Sequence, residues 1–115
     1  MDNVEMIKCK FEIVASGSYL PENCVTAEEL SELMGVSTKW ILGKTGVKTR
    51  YFAGEESIAS MAAKAIKDAM NDSKLKFEDI DLLIAAGGTP DQPIPHNSAL
   101  IHKELDLPGS VTPLD

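Results

Sequence analysis

The stretch "SIASMAAKAIKDAMND" (57–72), followed by "DIDLLIAAGG" (79–88), decides the fold class. Apolar residues recur at helical spacing in its first part, which predicts a helix capped by Ser57 with one stripe turned to a core. The stripe consists of Ile58, Met61, Ala62, Ala65, Ile66, Ala69 and Met70. Because several of these residues are alanines, the stripe is narrow and allows close packing against a sheet or another helix. The continuous apolar run from Leu82 to Ala86 is typical of a strand buried on both faces, as in a parallel sheet.

The residues before this stretch are interpreted as one strand and one short helix. The segment "IKCKFEIVA" (7–15) alternates apolar and polar residues, and this period of two predicts a strand. In "TAEELSELMG" (26–35), Thr26 can cap a helix while Glu29 reaches back to it, which is the capping-box pattern. Gly35 then ends this helix.

Further short elements complete an alternation of strands and helices. Ser37 is expected to cap a second short helix that continues to about Leu42 and stops at Gly43. The other segments are an extended "GVKTRYFA" (46–53), a helix "SALIHKEL" (98–105) and a strand "SVTPLD" (110–115). Strands that alternate with helices indicate an α/β architecture. Since the last strand starts and then stops, we expect this single domain, residues 1–115, to be part of a longer protein.

The composition argues against several classes of function. The 115 residues suffice for one modest domain, and no apolar run approaches the ~18 residues that a membrane span needs. The start carries acidic residues and lacks the apolar core of a signal peptide, so the cytoplasm is the expected compartment. A net charge of −7 repels nucleic acid, and no such partner is expected. Cys9 and Cys24 lack metal-ligand spacing, so we expect free thiols and no metal site.

Few single residues carry a catalytic signature. His96 and His102 are the only histidines, and neither has a nucleophile near it in sequence, so both are interpreted as surface residues. Asp91, in the proline-rich loop "TPDQPIPHN" (89–97), is interpreted as an ordinary solvated carboxylate. On these residues alone, no catalytic site is predicted.

The segment "KWILGKTGVKTR" (39–50) stands out, because it holds four basic residues and no acidic one within an acidic chain. We call it the basic segment. Its Trp40, the only tryptophan, is four residues from Lys44, so the two side chains share one face of a helix, and Thr45 follows at the turn. An aromatic plane beside a cation suits a planar, phosphorylated group such as a nucleotide. From spacing alone, a tryptophan buried in the core with lysines as its solvated flank is the other interpretation.

Four motifs occur in a fixed order and carry a family resemblance. They are "GSYLPENCVTAEEL" (17–30), "STKWILGKTGVKTRYFA" (37–53), "SIASMAAKAIKDAM" (57–70) and "DIDLLIAAGGTPDQPIP" (79–95). Together they resemble the N-terminal part of β-ketoacyl-acyl carrier protein synthase III, in the thiolase superfamily, from about Ile13 to the end of the chain. The resemblance implies an α/β fold that forms part of the N-terminal half of a thiolase-like αβαβα sandwich.

The family resemblance also implies a reaction, its partners and site residues. An acyl-CoA primer is loaded on a cysteine and extended by malonyl-acyl carrier protein, which starts fatty acid synthesis in a homodimeric enzyme. Coenzyme A enters as the thioester substrate, so no separate cofactor is expected. By resemblance, Trp40 stacks on the CoA adenine, while Lys44 and Thr45 contact the nucleotide portion. Ile94 occupies the position that reaches across the dimer into the partner's acyl pocket.

The chain departs from the family pattern in ways that matter for function. Lys44 stands where the family usually has arginine, and "GVSTKW" (35–40) where it often reads "DTSDEW". Neither Cys9 nor Cys24 matches the family's catalytic cysteine, and its histidine and asparagine come far later, so we expect no catalytic residues and no synthase activity in this chain alone. Two alternatives stay open: a thiolase-fold acyltransferase of secondary metabolism that uses carrier-bound acyl groups, and a non-catalytic module that binds CoA or a carrier protein.

Overall fold

The computed structural model describes residues 10–115, which form two groups of secondary structure. The first group comprises β1 (Asn23–Thr26), α1 (Ala27–Met34), α2 (Thr38–Thr45) and β2 (Thr49–Phe52). The second comprises α3 (Ile58–Ser73), a 3₁₀ turn (Phe77–Asp79), β3 (Leu82–Ile84), α4 (Asn97–Glu104) and β4 (Thr112–Leu114). We call residues 23–52 the ribbon unit and residues 57–115 the layered unit.

The ribbon unit is an antiparallel pair of strands joined by two short helices. β1 and β2 pair with Asn23 opposite Phe52 and Thr26 opposite Thr49. β2 confirms the extended segment predicted from the sequence, whereas β1 lies in a stretch that showed no strand pattern. Because its partner is 23 or more residues away along the chain, β1 depends on a tertiary contact that local periodicity does not reveal.

Side-chain caps determine where α1 begins. The Thr26 hydroxyl accepts the Glu29 amide at 3.2 Å, and the Glu29 carboxylate accepts the Thr26 amide at 2.8 Å, which confirms the capping box. The hydrogen bond from the Thr26 amide lowers the pKa of Glu29. Gly35, at φ 67°, ends the helix in the left-handed conformation that glycine adopts without strain.

The end of α2 differs from the sequence prediction. Ser37 caps the helix as expected, but the helix runs through Gly43 to Thr45 and ends at Gly46, at φ 65°. A glycine inside a helix costs only about 1 kcal/mol relative to alanine, and the capped start and the left-handed turn outweigh that cost. The prediction that α2 stops at Gly43 is therefore wrong.

The layered unit contains the hydrophobic core. Ser57 caps α3 through its hydroxyl, which accepts the Ser60 amide at 3.0 Å. α3 packs against α4, and α4 also contacts the parallel pair formed by β3 and β4, in which Leu82 is opposite Thr112. The buried core residues are Ala59, Ala63, Ile101, Leu105, Leu107 and Val111. Parallel strands covered by helices confirm the predicted α/β class.

The face of α3 that packs closest to the core is rotated from the predicted stripe. Ala59 and Ala63 are the buried residues of this helix, whereas the residues of the predicted stripe are half-buried. A Cβ atom added to Gly17 would overlap the Ala65 carbonyl oxygen and the Ala69 backbone. The alanines of the stripe therefore allow close packing, as predicted. The group that packs against Ala65 and Ala69 is Gly17 in the loop before β1, while Ala59 and Ala63 face the core.

Polar contacts fix the segment after Gly17 on α3. The Ser18 amide donates to the Asp68 carboxylate at 3.0 Å. The Tyr19 hydroxyl donates to Glu56 at 2.6 Å and accepts from the Lys64 amine at 3.0 Å, while Lys64 also forms an ion pair with Glu56. These bonds lower the pKa of Glu56, with Lys64 as the largest cause, and raise that of Lys64, with Glu56 as the largest cause.

Two predictions about strands need correction. Residues 7–9 of the predicted first strand lie outside the described residues, and the described part, residues 10–15, is not a strand and exposes Phe11 and Ile13. No strand pairs with that described part, so its alternating pattern has no ladder of hydrogen bonds to stabilise it. β3 is not buried on both faces, because Leu83 packs on the core while Ile84 on the opposite face is 61% exposed.

The chain is less compact than a closed domain of the same length. The radius of gyration is 19.2 Å, whereas a closed domain of this length has about 13 Å. In the part of the chain that the structure describes, no helix combines the length and the apolar character needed to cross a bilayer.

Candidate functional site

Trp40 lies on the surface of α2. Its amide donates to the Ser37 hydroxyl at 3.2 Å, so the residue sits in the first turn of the helix. Its side chain is 51% exposed, which rules out the interpretation of a tryptophan sealed in the core. Lys44, one helical turn further on, is exposed as well. The half-exposed indole of Trp40 therefore shares a helix face with the exposed amine of Lys44.

Thr45 ends α2 through its side chain. The hydroxyl donates to the Ile41 carbonyl at 2.8 Å and accepts the Val47 amide at 3.2 Å. The first bond reaches back one helical turn, and the second bridges the left-handed Gly46. The residue that the family resemblance assigns to ligand contact thus also organises the turn that follows Lys44.

Arg50 joins this group, although the sequence analysis assigned it no role. It lies on β2 and donates to the Thr45 hydroxyl at 2.9 Å and to the Val47 carbonyl at 3.3 Å. The only sequence signal was its place in the basic segment, because residues five apart do not share a helix face and β2 had no identified partner strand. Arg50 is opposite Val25 in the antiparallel strand pair, and its two hydrogen bonds place its guanidinium at the turn that ends α2.

The positive charge of the basic segment is available to a ligand. The lysines of this segment, Lys39, Lys44 and Lys48, are exposed. Within residues 10–115 the structure shows one ion pair, between Lys64 and Glu56, so none of these lysines is neutralised there by a carboxylate. An anion that docks beside Trp40 therefore meets unpaired cations in an otherwise acidic chain.

Ile94 lies in a loop that hydrogen bonds of Asp91 hold against α3 and the start of α4. Its side chain is 83% exposed. Asp91 is more than a solvated carboxylate, because its two oxygens accept the Ile58 and Ala59 amides at 2.8 Å each and cap α3. Its own amide donates to the buried Asn97 side chain at 3.0 Å, which joins α3 to the start of α4. Sequence reasoning missed these bonds, because the residues they join at α3 are 32 and 33 positions away.

The described cysteine and the histidines form no catalytic arrangement. Cys24 is exposed on β1, in the ribbon unit, whereas both histidines belong to the layered unit. His96 is exposed, as predicted, at the rim of an apolar cavity of about 540 Å³ between α3, β3 and α4. His102 is half-buried, with Nε2 3.2 Å from the Pro108 carbonyl oxygen, and is therefore not simply a surface residue. In residues 10–115, no group of three or more potential metal ligands occurs.

Comparisons with known proteins extend this picture. The chain is 36% identical over 105 residues to the β-ketoacyl-[acyl-carrier-protein] synthase III of Neisseria gonorrhoeae strain NCCP11945, covering 90% of the chain and 33% of the relative. It is 37% identical to the synthase III of Aquifex aeolicus, over 85% of the chain and 32% of that protein. The crystal structure of the Aquifex aeolicus enzyme superposes with a TM-score of 0.81 at 34% identity, covering 89% of the chain and 33% of the solved chain. No protein-family model matches.

The comparisons establish the class of fold first. The chain has helices packed on a parallel pair of strands, and it superposes on the synthase structures. Its fold is therefore that of the N-terminal region of thiolase-like condensing enzymes. The resemblance drawn from the sequence motifs is confirmed as well, because the chain is similar to β-ketoacyl-[acyl-carrier-protein] synthase III over nine-tenths of its own length. It spans about one third of the length of these relatives.

Proposed function

We propose that this chain contributes the nucleotide end of the acyl-CoA site of a β-ketoacyl-acyl carrier protein synthase III. A longer protein of this kind would condense an acyl-CoA primer with malonyl-acyl carrier protein, in the cytoplasm and as a homodimer, to start fatty acid synthesis. The chain by itself would have no synthase activity. The observation that carries the proposal is the half-exposed Trp40 one turn before the exposed Lys44 on a helix capped at both ends.

The chemistry of these side chains suits coenzyme A. The indole of Trp40 offers a flat apolar surface for the adenine ring, and base stacking on an aromatic side chain is worth about 1–3 kcal/mol. The Lys44 amine lies on the same face and attracts the nucleotide phosphates, as a point charge rather than as the two-pronged donor that arginine provides. Thr45 follows directly and ends the helix beside them.

Binding of CoA can be measured on the chain itself. Because Trp40 is the only tryptophan, its fluorescence reports on this helix alone, and we expect CoA to quench it in a saturable way. Trp40→Ala should weaken binding about tenfold or more, as judged by calorimetry, because the stacking surface is lost. Lys44→Met should weaken binding less and flatten its salt dependence.

Two controls make the CoA test decisive. Tyr51→Phe leaves the basic segment intact, and its CoA affinity should match that of the unchanged chain. A folded chain whose Trp40 fluorescence does not respond to CoA at millimolar concentration would contradict the proposal. Quenching by free adenine but not by CoA would contradict the proposal that Lys44 attracts the nucleotide phosphates.

Ile94 would act at the other end of the substrate. We propose that its exposed side chain reaches the acyl pocket of a second subunit, where its modest size leaves room for a longer or branched primer. In the longer enzyme, Ile94→Phe should then shift the preference towards shorter acyl-CoA primers, measured as ratios of kcat/KM across chain lengths. An unchanged preference would contradict this role.

A further inference from the structure

The hydrogen bonds of Arg50 separate it from the other cations of the basic segment. The side chains of Lys39, Lys44 and Lys48 are exposed and form no hydrogen bond within residues 10–115. Arg50 is half-buried and donates from both terminal nitrogens, one to the Thr45 hydroxyl at the end of α2 and one to the Val47 carbonyl just after it. Its guanidinium is thus occupied within the protein, and it is held in place by two acceptors.

The Thr45 hydroxyl is saturated by these contacts. A hydroxyl has one hydrogen to donate and two lone pairs to accept with. The hydrogen goes to the Ile41 carbonyl, and the lone pairs accept the Val47 amide and the Arg50 guanidinium. A ligand could hydrogen-bond to this hydroxyl only by replacing one of the three partners, which would leave the replaced group to find another partner.

The turn that these bonds hold together follows Lys44 directly. Gly46 sits in the left-handed conformation, so the turn has little steric resistance of its own to rearrangement. The bonds of Arg50 add to the hold of the Thr45–Val47 bond, because they tie both sides of Gly46 to β2. Loss of these bonds would loosen the turn that follows Lys44 and with it the placement of Lys44 on the helix face that it shares with Trp40.

We infer that Arg50 is a positioning residue for the nucleotide site and acts through the saturated hydroxyl of Thr45 on Lys44 and Trp40. This inference rests on the proposed function. Thr45 then connects Arg50 to α2. The hydroxyl of Thr45 contributes to CoA binding by stabilising the turn that positions Lys44.

A pair of charge-matched variants tests the role of Arg50. Arg50→Gln and Lys48→Gln each remove one positive charge from the basic segment, but only the first removes the bonds to the turn. We expect Arg50→Gln to weaken CoA binding about tenfold, as the loss of hydrogen bonds from a charged donor does, and Lys48→Gln about twofold. The effect of Lys48→Gln should disappear in high salt, whereas that of Arg50→Gln should remain, because it is geometric. Equal losses in the two variants at all salt concentrations would overturn the inference.

A destabilised control separates positioning from general loss of structure. Ser57→Ala removes the hydroxyl that caps the Ser60 amide of α3, in the layered unit, and should lower the melting temperature without touching the basic segment. Its CoA affinity should equal that of the unchanged chain, even where its melting temperature is as low as that of Arg50→Gln. If Ser57→Ala weakens CoA binding as much as Arg50→Gln does, the effect of Arg50 is one of stability and the inference is wrong.

A double-mutant cycle tests the route through Thr45. Thr45→Val keeps the shape of the side chain and removes its hydroxyl. If Arg50 acts through that hydroxyl, Thr45→Val combined with Arg50→Gln should bind CoA no more weakly than the worse single variant. Independent, multiplying losses would show that Thr45 contacts the nucleotide directly and would overturn the inference.

A ligand-free measurement distinguishes failure of this inference from failure of the proposed function. Hydrogen exchange of the Gly46 and Val47 amides should quicken in Arg50→Gln and stay unchanged in Lys48→Gln, since the Arg50 side chain bonds to this turn and the Lys48 side chain forms no hydrogen bond within residues 10–115. Unchanged exchange in both variants would overturn the inference even where CoA binds. Faster exchange in Arg50→Gln, in a chain that does not bind CoA, would overturn the proposed function and leave the hold of Arg50 on the turn established.

Discussion

The ribbon unit and the layered unit are stabilised in different ways. In the ribbon unit, only Ala27 and Ile41 are buried in the helices, and most of the described bonds are caps and turns between residues close in sequence. In the layered unit, six buried apolar residues from α3, α4 and the chain after it form one core. The ribbon unit nevertheless carries the basic segment, and the layered unit carries the loop of Ile94. The difference indicates that the proposed nucleotide site relies on local hydrogen bonds, and the scaffold on burial.

The largest expected effect comes from truncating one buried isoleucine in each unit. Ile101 and Ile41 are 4% and 3% exposed, so the two side chains are matched in chemistry and burial. Ile101→Ala should cost about 3 kcal/mol, because packed neighbours on several elements keep the cavity open. Ile41→Ala should cost about 1–2 kcal/mol, because the small ribbon unit can collapse around the gap.

Denaturant unfolding followed by circular dichroism measures both isoleucine variants. Val36→Ala, at a half-buried position between α1 and α2, serves as a milder reference. Equal losses for Ile101→Ala and Ile41→Ala would show that the two units share one cooperative core, against the distinction drawn above.

A smaller effect is expected where the segment of residues 17–19 meets α3. Gly17→Ala places a methyl group against the backbone of Ala65 and Ala69, so the segment must move away, at a cost of about 1–3 kcal/mol. Gly54→Ala is the matched control, because a Cβ there meets nothing within 4 Å. Thermal unfolding compares the two variants, and a Gly17→Ala chain as stable as the control would mean that the segment does not rest on α3.

The smallest expected effect is a pH dependence at the contact between Tyr19, Glu56 and α3. Glu56 has a pKa below its ordinary value of 4.5, so it contributes stability that is present above that pH and is lost as the pH falls through its pKa in the folded chain. Stability should therefore fall more steeply with acid in the unchanged chain than in Glu56→Gln. Glu29 also has a lowered pKa, but its partner Thr26 is local, so Glu29→Gln should mainly loosen α1.

Acid titrations with two probes separate these glutamates. Far-ultraviolet circular dichroism reports the whole chain, and Trp40 fluorescence reports the ribbon unit. Glu55→Gln, which removes a neighbouring carboxylate that forms no hydrogen bond within residues 10–115, is the control for the loss of one negative charge. A Glu56→Gln chain with the same acid profile as the unchanged chain would contradict the stabilising role of its contacts with Lys64 and Tyr19.

Much of the fold could be predicted from the sequence, because its signals are local. The capping box of Thr26 and Glu29, the cap at Ser57 and the helical spacing of α3 each depend on residues within a few positions of one another. The parallel strand β3 was also predicted, but its exposure on one face was not, since an apolar run does not show which of its faces is covered. Of the site, the spacing predicts that Trp40 and Lys44 share a helix face, whereas their exposure is seen only in the folded structure.

The α/β class, the family resemblance and the N-terminal caps of α1, α2 and α3 at Thr26, Ser37 and Ser57 follow from the sequence, because short-range hydrogen bonds and hydrophobic periodicity depend on neighbouring residues. The folded structure was needed to show that Arg50 holds the turn after Lys44, that Asp91 joins α3 to α4, and that Gly17 rests on the alanines of α3. Each of these contacts joins separate elements or crosses a turn. Their partners are chosen by the way the elements pack, and no local pattern along the chain encodes that choice.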